Sequence, residues 1–308
     1  MSELTLTINL CTRGRPDLLL RTVAETLPNM VLPTTIFMIS VDHDDQQTID
    51  ALPQLPRDRR LRPVVAQRED SLGGKYNRAL QVPADVYLAM VDYGSHITPG
   101  FDAKILEAAS LFPDNIGVVY NYLANASFPQ INGITHGLAK KMGFIYPPYF
   151  PYWFIDHWLD DIGRLIDRIS FADVRIDTAR RPGTRELREI TFWANFYDLG
   201  QLARRRCAHD IIRSPDFLDP PWRKEMLLRH HPLIEGRSLF VNGVLRADNY
   251  QQYEKERGAG AGDERYERLK TQAMQLANVW WAEMQALQAA QQPAAAEAPH
   301  EEKLAVAS

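Results

Sequence analysis

The chain has 308 residues, of which 45% are hydrophobic and 24% are charged, a balance typical of a soluble globular protein. Its formal net charge of −4 provides no overall basic field, so nucleic acid is not an expected partner. Cys11 and Cys207 are the only cysteines, which predicts no disulfide framework and a reducing, cytoplasmic compartment. We expect neither a signal peptide nor a transmembrane segment, because the N-terminus lacks a basic and apolar leader and no long apolar window is free of charge. Peripheral contact with the inner face of a membrane stays open.

The first third of the chain alternates apolar runs, polar turns and helical patterns. The runs Leu4–Leu10, Thr34–Val41, Leu61–Ala66 and Val86–Val91 predict four buried strands. A helix is predicted over Pro16–Leu27, because proline suits the first helical turn and apolar residues repeat mostly along one face. Strands that alternate with helices in this way predict an α/β fold with a largely parallel sheet.

Polar turns follow the first three of these predicted strands. They carry basic side chains, acids or paired glycines, and of these the basic side chains and the glycine-rich backbone can hold anions next to the start of a helix. The carboxyl ends of parallel strands meet at one edge of a sheet, where ligands usually bind. Each turn also has a plain interpretation: a solvated connection, a helix-capping cluster of aspartates, or a glycine hinge. The candidate anion- or nucleotide-binding residues are Thr12, Arg13, Arg15, Asp42, Lys75 and Asn77.

The fourth predicted strand runs directly into Asp92, and a Pro-Gly-Phe-Asp turn begins at Pro99. The order and spacing of these motifs over residues 4–175 resemble the inverting family 2 glycosyltransferases with the GT-A fold. In that family an apolar strand ends in an Asp-x-Asp motif at the metal site. Here Asp92 matches the first acid, whereas Gly94 stands in the place of the second.

The resemblance implies a GT-A sandwich with a mixed, mostly parallel central sheet and a helical C-terminal extension. It also implies a nucleotide-sugar donor, whose base or ribose contacts Asp42 and which Lys75 and Asn77 face. Asp92 would hold a divalent cation, Mn or Mg, at the donor diphosphate. Because Gly94 removes one ligand, a metal-independent variant stays open in which basic side chains hold the diphosphate: Arg13, Arg15 and Lys75.

An aromatic and proline-rich loop, residues 146–154, precedes a helical run with several acids. Aromatic rings stack on sugars and also fill ordinary cores, and the sequence leaves both interpretations open. In the family that the chain resembles, an acid at the start of such a helix acts as general base, and the resemblance assigns this role to Asp161 or Asp160. Both also suit plain helix N-terminal charges. Further acceptor or sugar candidates are Tyr149, Trp153, Asp156, His157 and Trp158.

The composition changes along the second half of the chain and predicts its domain organisation. A nucleotide-sugar-binding core is predicted over residues 1–176 and a mainly helical extension over 177–257. A glycine-rich linker, 258–263, leads to an amphipathic helix at 264–288, and the tail 289–308 has the composition of a disordered segment. A tryptophan pair on the helix predicts docking to the body, to a second subunit in a homo-oligomer, or to a membrane.

The sequence therefore predicts a glycosyltransferase that moves a sugar from a nucleotide-diphosphate donor to the hydroxyl of a carbohydrate or other acceptor, with inversion. Bacterial polysaccharide assembly is implied by the resemblance alone. The missing second acid favours an alternative, a catalytically inactive glycosyltransferase-like binding or scaffold protein. A nucleotidyltransferase fits less well, because the turn Thr12–Pro16 contains one glycine and no lysine.

Overall fold

The computed structural model describes residues 4–92, 94–122, 130–178, 189–234 and 264–291. The predicted linker, most of the predicted tail and parts of the 177–257 extension lie outside these ranges. The side chains of residues 91, 94–96, 122, 130–132, 176–178 and 291 also lie outside the description.

The described strands are β1 (Leu6–Cys11), β2 (Ile36–Asp42), β3 (Leu61–Ala66), β4 (Val86–Val91), β5 (Gly94–Ile97), β6 (Val118–Tyr122), β7 (Gln130–Thr135) and β8 (Ile169–Thr178). Within the described residues they form one eight-stranded sheet in the order β3-β2-β1-β4-β7-β6-β8-β5. The neighbours β3, β2, β1 and β4 run parallel, as do β6 and β8. β7 is antiparallel to both β4 and β6, and β5 is antiparallel to β8. The predicted mixed, mostly parallel sheet is therefore confirmed.

The described helices are α1 (Pro16–Thr26), α2 (Gln46–Ala51), α3 (Leu72–Asn77), α4 (Phe101–Ala109), α5 (His136–Met142), α6 (Ile155–Leu165), α7 (Ile190–Leu199), α8 (Gln201–Arg213), α9 (Pro221–His230) and α10 (Glu264–Gln291). The sequence pattern over Thr191–His209 predicts one helix; this prediction is wrong, because the chain breaks into α7 and α8 at Gly200. Two indole rings press against this glycine: a Cβ there would lie 2.8 Å from Trp158 and 3.0 Å from Trp280.

Apolar side chains fill both faces of the sheet. One core packs α1 and α4 against it and includes Leu19, Val23 and Phe101. The other contains side chains of α6, α7, α8 and α10, among them the fully buried Trp193. The two faces of the sheet are therefore both covered, which explains why β1, β2 and β4 read as nearly continuous apolar runs.

The carboxyl ends of β1, β2 and β4 lie at one edge of the sheet, which we call the carboxyl edge. Because β7 is antiparallel to both β4 and β6, β6 also ends at this edge. Helix α6 runs the opposite way: its Gly163 packs against Val118 at the start of β6, and its Asp160 bonds Tyr120 further along the same strand. The first turn of α6, with Asp156, therefore lies nearest the carboxyl edge.

Helix α10 packs on α7 and α8, so of the three predicted docking modes it adopts contact with the body. The indole N–H of Trp193 donates to the Tyr266 hydroxyl at 3.0 Å, and Arg206 pairs with Glu283 at 2.7 Å. The helix ends at Gln291, three residues beyond the predicted boundary at 288. None of the described helices combines the length and the hydropathy that crossing a bilayer requires.

The two tryptophans of α10 are expected to contribute very differently to stability. Trp280 is 8% exposed and stacks on Phe196 with ring centroids 5.1 Å apart, whereas Trp281 is 51% exposed. Trp280→Ala should lower the free energy of unfolding by about 3 kcal/mol, because it opens a cavity among aromatic rings. Trp281→Ala should change it by less than about 0.5 kcal/mol. Urea unfolding of both variants checks this, and equal effects would contradict the docked position of α10.

Candidate active site

Asp92 lies at the carboxyl edge just past β4 and is completely buried. The Thr12 hydroxyl donates to its Oδ2 at 2.6 Å, and the Arg15 guanidinium lies 3.0 Å from its Oδ1. Burial raises the pKa of Asp92, although the Thr12 hydrogen bond and the Arg15 charge oppose the shift. Both carboxylate oxygens therefore face side chains of the turn Thr12–Pro16, which follows the neighbouring strand β1.

Asp42, the last residue of β2, forms the centre of a second ion-pair cluster. Its Oδ2 lies 3.1 Å from Lys75 Nζ and 3.3 Å from Arg13 Nη1, and Arg78 Nη2 donates to Oδ1 at 3.1 Å. Lys75 also donates to the carbonyl oxygen of Thr12 at 2.7 Å. These bonds join the turns after β1 and β2 to helix α3, so the three predicted turns form one cluster.

The aspartates after Asp42 do not act as simple helix caps. Asp45 occupies the N-cap position of α2 but makes no capping hydrogen bond; it accepts one from the backbone N–H of Gly14 at 2.7 Å. Asp44 pairs with both terminal nitrogens of Arg13, and this contact lowers the pKa of Asp44 to about 2. Asp44 and Asp45 thus hold the basic turn that contains Arg13 and Gly14 in place.

Helix α3 is fixed from both ends by contacts within the protein. The Ser71 hydroxyl caps it by accepting the Gly74 N–H at 2.9 Å. Gly73 allows close packing, because a Cβ there would lie 2.2 Å from the carbonyl oxygen of Pro147. The Asn77 amide accepts from the N–H groups of Ile145 and Tyr146 and donates to the Tyr146 carbonyl. Asn77 therefore binds the 146–154 loop, and its predicted contact with a donor stays a prediction.

The aromatic candidates have different environments. Trp158 is buried, and the Tyr149 ring contacts it edge-on at 5.4 Å, with Phe196 and Trp280 also around Tyr149. These contacts match the plain-packing interpretation. Trp153 differs in exposure, because it is only partly buried; the indole N–H groups of Trp153 and Trp158 both find no acceptor among the described residues.

Asp161 is buried in the helical layer, where it faces two side chains of later helices. The Tyr197 hydroxyl donates to its Oδ2, and the Arg204 Nε lies 2.6 Å from the same atom. Burial raises the pKa of Asp161, and the attraction of Arg204 opposes this shift. This arrangement is typical of a structural ion pair rather than of a base that meets a substrate.

Asp160 and Asp156 are more accessible than Asp161: their side chains are 26% and 33% exposed, against 4% for Asp161. Asp160 Oδ1 accepts from the Tyr120 hydroxyl, and Arg164 Nε lies 3.0 Å from Asp160 Oδ1 and 2.9 Å from Oδ2. Asp156 Oδ1 lies 2.8 Å from His157 Nδ1 and accepts the His157 N–H at 3.0 Å. Within the described residues no hydrogen bond reaches Asp156 Oδ2.

Asp156 and His157 form a charged pair on the first turn of α6. Burial alone would raise the pKa of Asp156 and lower that of His157, but their mutual attraction outweighs it, so the pKa of Asp156 is lowered and that of His157 raised. Burial, followed by the Asp156 charge and then Cys11, also raises the pKa of Tyr146. Asp156 therefore lies within electrostatic range of Tyr146, as does Cys11 at the end of β1.

Arg78, Tyr197 and Arg204 belong to these clusters although the sequence did not single them out. Arg78 had a weak local signal, since it lies three residues after Lys75 and so on the same helical face. Tyr197 and Arg204 had none, because they meet Asp161 only through the packing of α6 against α7 and α8. Within the part of the chain that is described, no group of three or more His, Cys, Asp or Glu side chains is placed to hold a metal ion.

Comparison with known proteins gives a likeness in structure only. No protein-family model and no curated protein matches the sequence. S. aureus TarS 1-349 in complex with UDP-GlcNAc matches with a TM-score of 0.51 at 14% identity, over 74% of this chain and 71% of that chain. The mannosyltransferase PcManGT from Pyrobaculum calidifontis, in complex with GDP-Man and Mn²⁺, gives 0.47 at 13% identity, over 91% and 84%.

At such low identity the TarS likeness shows the fold alone. It agrees with the α/β fold, the mixed sheet and the helical C-terminal part described above. The chain therefore has the predicted fold class, a GT-A-like α/β sandwich with a mixed, mostly parallel sheet and a helical C-terminal extension.

Proposed function

We propose that the protein transfers a sugar from a nucleotide-diphosphate donor to an acceptor hydroxyl. The observation that carries this proposal is the convergence of three strand-end turns at the carboxyl edge, where basic side chains surround two buried aspartates. In an open α/β sheet this edge is where ligands bind. A diphosphate needs several cations and N–H donors in one place, and this cluster supplies them.

Arg13 and Arg15 are the cations best placed to meet the donor phosphates, because both side chains are partly exposed. Lys75 and Arg78 are buried against Asp42. They therefore help to fix the turn Thr12–Pro16 and add positive charge on its buried side. Arg15 also stands at the N-cap of α1, whose dipole places further positive potential at the same point. Together these groups would stabilise the charge that develops on the leaving diphosphate.

The described side chains at Asp92 do not fit a divalent cation. Oδ2 accepts the Thr12 hydroxyl, and Oδ1 accepts no hydrogen bond among the described residues but lies 3.0 Å from the Arg15 guanidinium, whose positive charge would repel Mn or Mg. Gly94 supplies no second carboxylate. We therefore derive no step through a metal ion.

Access and topology favour Asp156 as the general base. It is the most exposed of the three acids on α6, it lies in the turn nearest the carboxyl edge, and its Oδ2 faces no donor among the described residues. Asp160 is the second candidate, while the contacts of Asp161 suit a structural role. The base needs to be ionised at neutral pH, and the lowered pKa of Asp156 meets this condition.

On this proposal the acceptor oxygen forms a bond to the anomeric carbon while the bond from that carbon to the diphosphate oxygen breaks. The acceptor proton passes to Asp156, and the electron pair of the broken bond leaves with the nucleoside diphosphate. Attack opposite the leaving group inverts the anomeric centre. Trp153, which is only partly buried whereas Trp158 is buried, is the aromatic candidate for contact with the sugar or acceptor.

Isothermal titration of the protein with UDP, GDP, CDP and dTDP tests the donor site. One nucleoside diphosphate should bind with a Kd in the micromolar range, and the matching nucleoside, which lacks phosphates, should bind at least about tenfold more weakly because it leaves the basic cluster without a partner. Equal binding of nucleoside and diphosphate would show that the basic cluster is not a phosphate site.

A further inference from the structure

We propose that the Arg15 guanidinium does at Asp92 what a divalent cation would do, so that donor binding needs no metal. This inference rests on the proposed function. On this proposal the positive charge between the buried Asp92 carboxylate and the donor diphosphate belongs to the Arg15 guanidinium.

The contacts of Asp92 put Arg15 in that place. Thr12 holds Oδ2 on the inner side at 2.6 Å, and Arg15 Nη2 lies against Oδ1 at 3.0 Å. Asp92 is completely buried, whereas the Arg15 side chain is partly exposed, so the guanidinium lies on the outer side of the carboxylate. A ligand that approaches the carboxyl edge would meet Arg15 before Asp92.

The charge balance points the same way. One carboxylate facing one guanidinium is already neutral, and Gly94 supplies no carboxylate two residues after Asp92 to share a dication with it. An ion at Asp92 would have to displace Arg15 and would be repelled by it at short range. A guanidinium can pair with the carboxylate through one edge and donate to phosphate oxygens through its remaining N–H groups.

Arg15 is also held where a diphosphate would need it. It is the N-cap residue of α1, directly before Pro16, and its carbonyl accepts the Leu19 N–H at 3.0 Å. The neighbouring Arg13 is fixed by Asp42 and Asp44. Two guanidiniums and a helix N-terminus thus present N–H donors in one place, and their geometry does not depend on a bound ion.

The test compares Arg15→Met with the wild-type protein, using whichever of UDP, GDP, CDP and dTDP binds, in EDTA and in Mn²⁺. The wild-type Kd should differ by less than about twofold between the two buffers. Arg15→Met should bind about tenfold more weakly in EDTA, because it loses a charged hydrogen bond to phosphate. Mn²⁺ should then restore much of the affinity, since Asp92 is uncovered. Arg15→Lys, which keeps the charge, should remain insensitive to Mn²⁺.

Arg21→Met is the matched control, because Arg21 lies on the same helix, pairs with Glu25 on the surface and should leave every Kd unchanged. A wild-type affinity that rises tenfold in Mn²⁺ would overturn the inference. So would an Arg15→Met variant that binds as tightly as wild type in EDTA, or that stays as weak in Mn²⁺ as in EDTA, provided that its Tm shows it to be folded. If no nucleotide binds the wild type in either buffer, the proposed function itself fails.

Discussion

Asp161→Asn is expected to lower the free energy of unfolding by about 3–5 kcal/mol. The substitution removes the negative charge from an ion pair in which both partners are almost completely buried, at 2.6 Å from Asp161 Oδ2 to Arg204 Nε. Arg204 would then keep a buried charge without its counter-ion. The Tyr197 hydroxyl, which also donates to Asp161, would lose its charged acceptor.

Asp160→Asn is the matched control, because it changes the neighbouring acid of the same helix in the same way. Asp160 is partly exposed and its partner Arg164 is exposed, so the loss should be below about 1 kcal/mol. Urea unfolding of the two variants measures the difference directly. If Asp161→Asn were as stable as wild type but inactive, Asp161 would be catalytic after all, as the family resemblance first suggested.

Asp156→Asn is expected to lower kcat by about 10²–10⁴-fold, the usual contribution of a general base. The Kd for the nucleoside diphosphate should stay within about twofold of the wild-type value, because no donor-site group is removed. Rapid-quench or coupled turnover assays give kcat, and isothermal titration gives the Kd. The variant keeps the side-chain volume, and its partly exposed position limits the cost in stability.

Asp160→Asn again serves as the comparison for this experiment. On our account its kcat falls much less than that of Asp156→Asn. The reverse order would identify Asp160 as the base and leave Asp156 as a partner of His157. A parallel fall in kcat and in nucleotide affinity for Asp156→Asn would instead indicate a distorted donor site.

The convergence of the strand-end turns at the proposed donor site could be predicted from sequence because its signals are local. An apolar run ending in a polar turn marks the end of a parallel strand, and parallel strands end at one edge. That rule alone brings Thr12, Asp42 and Asp92 together, and the structure places them so. The carboxylate–arginine pairings within the cluster had no such signal, since they depend on side-chain directions.

The contacts of helix α6, where we propose that the acceptor binds, could not be predicted in the same way, because they join distant parts of the chain. The helical pattern of the sequence does not distinguish Asp161 from Asp160. The two differ in the structure because Asp161 is buried against Arg204, 43 positions later, whereas Asp160 is partly exposed. Gly200 divides a strongly helical stretch because two tryptophans from other elements press on it. Strands β5 and β7 lack apolar runs and exist through pairing with β8, β4 and β6.

We propose that the protein transfers a sugar from a nucleotide donor bound at the carboxyl edge. The most direct measurement incubates the protein with UDP-, GDP-, CDP- and dTDP-sugars and follows, by NMR, both release of the nucleoside diphosphate and the anomeric configuration of the sugar product. We predict that one donor is consumed and that its product has the opposite anomeric configuration. Nucleotide binding without consumption of any donor, with candidate carbohydrate acceptors present, would contradict the account and identify a binding protein built on a transferase fold.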